Sequence, residues 1–255
     1  MVHIAVLGRK GGSAKTTTAY NLAGTLALQG MRCLLVDLDS QASLTRALSG
    51  EPVPPECGIG SRIAETERGL RDTIRPVGHG IDLAPGDRSI EATALALAQN
   101  PAGPFRLRLL LDELCGDYDA VIIDTAPLLG FTQTSAMLAG DRAVVPTRTG
   151  AQQDIDALID IFAVQEELRR FRFGTAEIIA ILPSNYHAGE APQRAGLAAL
   201  REAYGDLIAD PIPHSPLIER AINARNPIAL GSPRSPAAHA FHALAGRLVG
   251  IEARR

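Results

Sequence analysis

The chain is 255 residues long, 46% apolar and 21% charged, a composition that suits a globular domain with a sizeable core and excludes a disordered chain. Its formal net charge of -3 excludes a global attraction to nucleic acid or acidic membranes, so either kind of binding needs a local patch. No apolar run approaches the roughly 20 residues of a membrane helix, and Cys33, Cys57 and Cys115 lack CxxC spacing and make no disulfide framework, which points to the cytoplasm.

The first strand, HIAVLG, has no basic segment ahead of it and runs into glycines and charge, so it reads as buried structure and not as a secretion signal. A helix over 15–29 follows, then the strand CLLVDLD and a helix over 40–48. The next segment, 50–78, opens GEPVPPECGIG, where prolines and glycines break any period. Beyond it come the strand IDLAPG, helices over 88–98 and 104–115, the strand AVIIDTA, a helix over 132–139 and the strand AVVPT. A helix over 151–171, the strand EIIAILP, a helix over 190–203, a weaker strand at LIADPIP and helices over 215–224 and 236–249 complete the pattern. Near-continuous apolar strands alternating with helices imply an α/β fold with a doubly wound, mostly parallel sheet and helices on both faces. The expected organisation is a single domain over 1–255, with 50–78 as an excursion within it.

Between the first strand and the first helix lies RKGGSAKTTT, which contains Lys10 and Lys15, the only two lysines among 25 basic residues. A glycine-rich turn running into a helix N-terminus aims backbone N–H groups and the positive end of the helix dipole at one spot, a place for phosphate. In this setting Gly11, Gly12, Ser13 and Ala14 form the cradle and Lys15 reaches the β and γ phosphates. The Thr16 hydroxyl takes a position on Mg²⁺, and Thr17 is placed for an α phosphate. The stretch LLVDLDSQ puts Asp37 and Asp39 at the end of the second strand, two apart and therefore on one side of it. The bland alternative for these two is capping of the next helix. YDAVIIDTAP closes an apolar strand with Asp124, a carboxylate costly to place there unless a hydrated cation or its equivalent meets it.

KGGSAKT resembles the deviant Walker A motif, KGGxxK[ST], of the ParA/MinD group of P-loop ATPases. The resemblance implies an Mg²⁺-dependent ATP hydrolase that dimerises around two ATP molecules, with Lys10 reaching phosphates bound by the other subunit. DLDSQ is similar to the family's DxDPQ segment, with Ser40 in place of proline. By that match Asp39 positions or activates the attacking water, Lys10, Lys15 and Asp39 are the catalytic residues, and Thr16, Asp37, Asp39 and Asp124 make up the metal shell. TAPLLGF then corresponds to a switch region sensitive to the γ phosphate, and Asn185 and Pro213 occupy places where the family contacts adenine. Ala14 departs from the family's glycine before the loop lysine.

The resemblance covers nearly the whole chain and is closest to short, chromosomal-type ParA proteins, without a helix-turn-helix ahead of the first strand. It implies plasmid or chromosome partition, non-specific DNA binding by the ATP-bound dimer, a ParB-type DNA-binding partner and a cytoplasmic, nucleoid-associated location. Arg194, Arg201, Arg220, Arg225 and Arg234 are the arginines available for DNA, while His214 stands where the family has an arginine. The alanine- and glycine-rich tail HALAGRLVGIEARR is unlike the membrane-targeting helix of MinD. RRFRF, 169–173, interleaves arginines with aromatics but also ends a helix, where arginines complement the dipole. His239 and His242 have a metal spacing without acidic or cysteine partners. Two alternatives stay open: an ATPase of this type that positions a protein cargo, and a redox ATPase of the nitrogenase iron-protein type, which needs paired cysteines.

Overall fold

A computed structural model of the chain describes residues 1–150 and 152–250. In its first half it contains β1 (Val2–Val6), α1 (Lys15–Leu28), β2 (Cys33–Leu38), α2 (Ser43–Ser49), α3 (Ile59–Ala64), β3 (Arg75–Gly78), β4 (Ile81–Ala84), α4 (Ser89–Leu97), α5 (Arg106–Asp112) and β5 (Ala120–Thr125). The second half contains α6 (Phe131–Ala139), β6 (Arg142–Thr147), α7 (Gln152–Arg170), β7 (Glu177–Pro183), α8 (Ala191–Tyr204), α9 (Pro216–Asn223), α10 (Ile228–Gly231) and α11 (Pro236–Val249). Residue 151, expected to begin the long helix, lies outside the described residues.

The strands form one seven-stranded sheet in the order β3-β4-β2-β5-β1-β6-β7, parallel except for the antiparallel β3–β4 pair. Alternate residues of each central strand feed opposite cores. Ile4, Val6, Leu35 and Ile122 face a cluster completed by Ala19, Leu22 and Leu26 of α1 and by Phe241, Leu244 and Leu248 of α11. Ala5, Leu34, Val36, Val121 and Ile123 face the other, with Leu107, Leu110 and Leu111 of α5 and Leu158 and Ile161 of α7. Apolar side chains at both parities are what bury a strand on two faces, and burial of each is worth about 1.5–3 kcal/mol. The C-terminal helix α11 is therefore part of the core. No helix among the described residues is long and apolar enough to cross a membrane.

Besides the short α10, Ile228–Gly231, which lies between two expected helices, three elements differ from the expectation. LIADPIP forms no strand: Ile208 and Pro213 make only isolated bridges, to Ile181 and Tyr186, because Pro211 and Pro213 cannot donate to a ladder. The irregular 50–78 segment contains α3 and, at its end, β3, which re-enters the sheet as an edge strand carrying Pro76. The helix expected over 104–115 is regular only over Arg106–Asp112, leaving Cys115 beyond its end.

The strand order also opens a place for a ligand. β1 lies between β5 and β6, so the chain leaves β1 for β2 on one side and later crosses back over β1 from β5 to β6. This reversal opens a crevice above the carboxyl end of β1, where ligands of open α/β sheets sit. α1 also packs closely on the start of α10: a Cβ built on Gly24 would lie 2.1 Å from the Pro227 Cβ. Gly24→Ala is therefore expected to lower stability by about 1–3 kcal/mol through overpacking, read as a reduced midpoint in urea unfolding.

Candidate functional site

The loop between β1 and α1 is held from three sides. Gln133, buried on α6, donates through Nε2 to Gly8 O at 2.9 Å and to Ala126 O at 2.8 Å, tying the loop to the segment after β5. Thr125 Oγ1 donates to Val6 O at 2.7 Å. Arg148, just past β6, donates through Nε to Gly12 O at 3.1 Å. Gln133 and Arg148 carry no sequence signal of their own and act on loop carbonyls brought to them by the sheet, while Thr125, in the TAPLLGF stretch, acts on the end of β1.

The loop turns into α1 through two left-handed residues, Gly12 at φ 75° and Ala14 at φ 70°. Ala14 is the N-cap of α1 and offers no side-chain acceptor, so the N–H groups of the first turn receive no capping bond from it. Such an uncapped helix start is an anion cradle. A non-glycine residue in the left-handed region costs about 1–2 kcal/mol, and the loop holds Ala14 there regardless. Ala14→Gly is expected to raise stability by about 1 kcal/mol, measured by denaturant unfolding; an unchanged or lower midpoint would show that the conformation carries no strain.

Lys15 is 7% exposed, and its Nζ donates to Lys10 O at 3.1 Å, so the amine turns back on the loop. Burial pulls its pKa below the usual lysine value, opposed by the nearby Asp124 and Asp39. Asp37, Asp39 and Asp124 converge there because β1, β2 and β5 are neighbours in register: Asp37 pairs with Asp124, and Asp124 with Val6. Burial, and then the charge of Asp37, push Asp124 up to about 8, while contact with the Thr16 hydroxyl and with Lys15 acts the other way. Its Oδ1 is buried without a hydrogen-bond partner.

The two aspartates after β2 have different surroundings. Asp37 is fully buried and its Oδ2 accepts from Thr45 N at 2.8 Å and from Thr45 Oγ1 at 2.7 Å, while Oδ1 accepts from Asp39 N at 3.3 Å. It thus braces the first turn of α2 from eight residues upstream, and Gly86 N donates on to Thr45 Oγ1 at 2.8 Å. Burial raises Asp37 to about 6 in spite of these bonds. Asp39 is half-buried and accepts from Gln41 N at 2.9 Å, which shapes the turn before α2. Asp37 therefore does the capping that the bland reading gave to the pair, and Thr45 is a residue that sequence reasoning missed.

Among the described residues no three His, Cys, Asp or Glu side chains are gathered to hold a metal among themselves. The orphaned Asp124 Oδ1 beside the Thr16 hydroxyl is nonetheless a hard-oxygen pair, and it fits a cation that keeps most of its waters and phosphate ligands, as Mg²⁺ does.

A cavity of about 240 Å³ opens beside the loop, reached by Thr17 and by Asn185 and Pro213. Asn185 follows β7 in a left-handed conformation, φ 55°, and accepts at Oδ1 from His214 Nδ1 at 2.7 Å. Lys10 and Arg148 line a second, open pocket beside it together with His187 and Glu190.

The five arginines considered for DNA are not on one element. Arg194 and Arg201 sit on α8, with Arg194 Nη1 bonded to Ala188 O, while Arg220 on α9 and Arg225 and Arg234 in the loops after it sit on the other side of the sheet. Arg225 Nε is engaged by Ala47 O at 3.2 Å. RRFRF closes α7 with Phe171 exposed and Phe173 edge-to-face against Phe105. His242 meets Gln29 at 3.5 Å while His239 is exposed, and the three cysteines are free thiols, Cys33 buried, Cys57 half-buried and Cys115 exposed.

A family model described as an AAA domain matches residues 1–170. Over 244 residues the chain is 33% identical to the chromosome-partitioning ATPase Soj of Thermus thermophilus, covering 95% of this chain and 93% of that one. The chain belongs to the ParA-type family of P-loop partition ATPases. Solved structures agree in fold: an ATP complex of a McdA variant from Cyanothece has a TM-score of 0.88 at 21% identity, covering 99% of this chain and 97% of that one. A plasmid partition protein of Borrelia burgdorferi bound to AMPPNP has a TM-score of 0.80 at 21% identity, covering 98% of each chain.

The raised Asp124 has a pH consequence. The folded, ligand-free protein keeps this proton where an unfolded aspartate, at 3.8, has lost it, so stability falls as pH rises from about 4 to about 8. Asp37 adds a slope of the same sign up to about 6. Asp124→Asn removes the larger contribution, and its stability relative to wild type is expected to grow between pH 5 and pH 8, followed by urea unfolding in EDTA.

Proposed function

We propose that the protein is a single-domain ATPase over 1–255 that hydrolyses ATP to ADP and phosphate and works as an ATP-dependent dimer in DNA partition. The observation that carries this reading is the loop itself: an uncapped helix start, a buried Lys15 directed into the loop, and Asp39 and Asp124 close enough to act on its charge. Backbone N–H groups from Gly11 to Thr17, with Lys15, would hold the phosphates, while the 240 Å³ cavity at Asn185 and Pro213 takes the base. Thr16 and Asp124 would hold Mg²⁺, with Asp37 fixing the strand end behind them; the ion when bound supplies charge neutralisation at the phosphates. Asp39 orients the attacking water.

Dimerisation is supported by Lys10, which lies on the open side of the loop beside Arg9 and Asp156, away from the buried Lys15. It is supported also by apolar side chains left in water: Leu128, after β5, is 74% exposed and Ile159 on α7 is 56% exposed. In this reading the ATP-bound dimer binds DNA non-specifically through local arginines, associates with the nucleoid in the cytoplasm, and is discharged by a ParB-type partner. The membership shared with Soj, a chromosome-partitioning ATPase by name, supports that assignment.

The test is DNA binding with ATP, with ADP and without nucleotide across a salt series. Binding only with ATP, lost steeply as salt rises, is expected, and salt-resistant or nucleotide-independent binding would sink the switch. In the same assays Lys10→Ala is expected to abolish ATP-induced dimerisation by light scattering, while Asp39→Ala binds ATP but loses turnover by about a hundredfold or more.

A further inference from the structure

The cavity beside the phosphate loop carries a feature that nucleotide binding alone does not explain. Asn185 and His214 come from different segments, and the backbone fixes both: Tyr186 N donates to Ile212 O at 3.0 Å and His214 N to Tyr186 O at 2.9 Å. The His214 ring is stacked on His187, with centroids 4.2 Å apart and planes 19° from parallel, so the imidazole cannot swing away without losing that contact. His187 is itself held by its N–H donating to Gln193 Oε1 at 2.9 Å, and its Nδ1 lies 3.7 Å from Glu190 Oε1. At the end of this series His214 Nδ1 meets Asn185 Oδ1 at 2.7 Å.

We infer that His214 is a positioning residue that sets which end of the Asn185 amide faces the base. A carboxamide has one acceptor and one donor end, and a partner that donates to Oδ1 leaves the Nδ2 amine for the cavity. A donor facing a purine suits its ring nitrogens or a 6-oxo group; an acceptor there suits a 6-amino group. The preference between 6-amino and 6-oxo purine nucleotides is therefore decided by the hydrogen-bonding character of residue 214, acting through the Asn185 amide beside it on the wall of the same cavity. Asn185, held at φ 55°, has little freedom to restore the other orientation by moving its backbone.

This rests on the reading of the cavity as the base site of a nucleotide. The test compares ATP with inosine triphosphate, which carries the same phosphates and a 6-oxo purine, as competitors of a ribose-labelled fluorescent ATP in the presence of Mg²⁺. His214→Arg, a donor only, is expected to leave the ATP to inosine triphosphate affinity ratio as in wild type. His214→Asp, an acceptor only, draws the Asn185 amine toward itself, turns Oδ1 to the base and should raise the ratio about fivefold. Because residue 214 lines the same cavity, His214→Asp is also measured in an Asn185→Ala background, where the ratio should no longer move if the effect passes through the amide. Asn185→Asp presents an acceptor directly and is expected to move the ratio in the same direction, which keeps the test open if one variant folds poorly. Displacement by neither nucleotide in wild type would overturn the nucleotide reading and this inference with it. Ordinary ATP binding with a ratio unmoved by a folded His214→Asp variant, or moved equally in the Asn185→Ala background, would overturn only the role of His214.

Discussion

Everything at the crevice follows from ionisable groups being forced out of water at the carboxyl end of three adjacent strands. Lys15, Asp37 and Asp124 are each nearly or fully buried, and the register that pairs Asp37 with Asp124 leaves the two carboxyls no room to avoid one another. Folding satisfies Asp37 through Thr45 but leaves Asp124 Oδ1 without a hydrogen-bond partner, and it gives the Lys15 amine a hydrogen bond to a loop carbonyl with Asp124 and Asp39 nearby to offset part of its desolvation. A buried charge without compensation is one of the more expensive features a fold can carry. The free protein lowers that cost by holding protons on its carboxyls; a bound cation and an anionic ligand would remove it. The site is thus built to favour a loaded state, and the hydrophobic sheet on both sides supplies the stability that permits it.

The same constraint explains why the supporting residues are polar groups aimed at carbonyls. Gln133, Thr125 and Arg148 come from α6, β5 and the segment after β6, and each donates to the loop or to the strand leading into it. They pin the loop while leaving its N–H groups for a ligand. Gln133 also holds Ala126, so a shift in the segment after β5 is felt at Gly8 through one side chain. That is the arrangement expected where the state of a phosphate is passed on to a surface loop, and the exposed Leu128 lies two residues further along that loop.

The sheet and the loop were legible because their signals are local. Apolar runs of both parities marked six of the seven strands, and glycines between a strand and a helix marked the candidate phosphate loop. β3 was not legible: four residues with Pro76 and alternating exposure, pairing antiparallel at an edge, need no apolar run. LIADPIP misled in the opposite way, since its apolar residues are used for packing beside β7 while its prolines prevent a ladder. Thr45, Gln133 and Arg148 were invisible for a third reason. The partners of Gln133 and Arg148 lie 125 and 136 residues away in sequence and only the strand order brings them together, while Thr45 reaches Asp37 across the turn between β2 and α2, whose shape the spacing does not reveal. The separate roles of Asp37 and Asp39 were hidden likewise, because a spacing of two predicts a shared side of the strand and not which carboxylate the next helix will claim.

Arginine and lysine usage sharpens the argument about the loop. The chain has 23 arginines and two lysines, and both lysines lie in the one segment where a basic group must share space with backbone N–H donors. A guanidinium is planar, branched and fixed in its charge, whereas an ammonium is compact and tolerates burial by giving up proton affinity. Lys15 shows that response, its pKa lowered by desolvation while Asp124 and Asp39 oppose the shift. Arg148, close by, does what arginine does better, bracing Gly12 O from outside with one N–H while the rest of its fork stays in water. The division of labour is therefore physical: lysine where the charge must enter the loop, arginine where it holds the loop from its rim. Lys10 lies at that rim, lining the open pocket with Arg148 and not beneath the loop, where an ammonium on a flexible stem suits a phosphate approached from the open side.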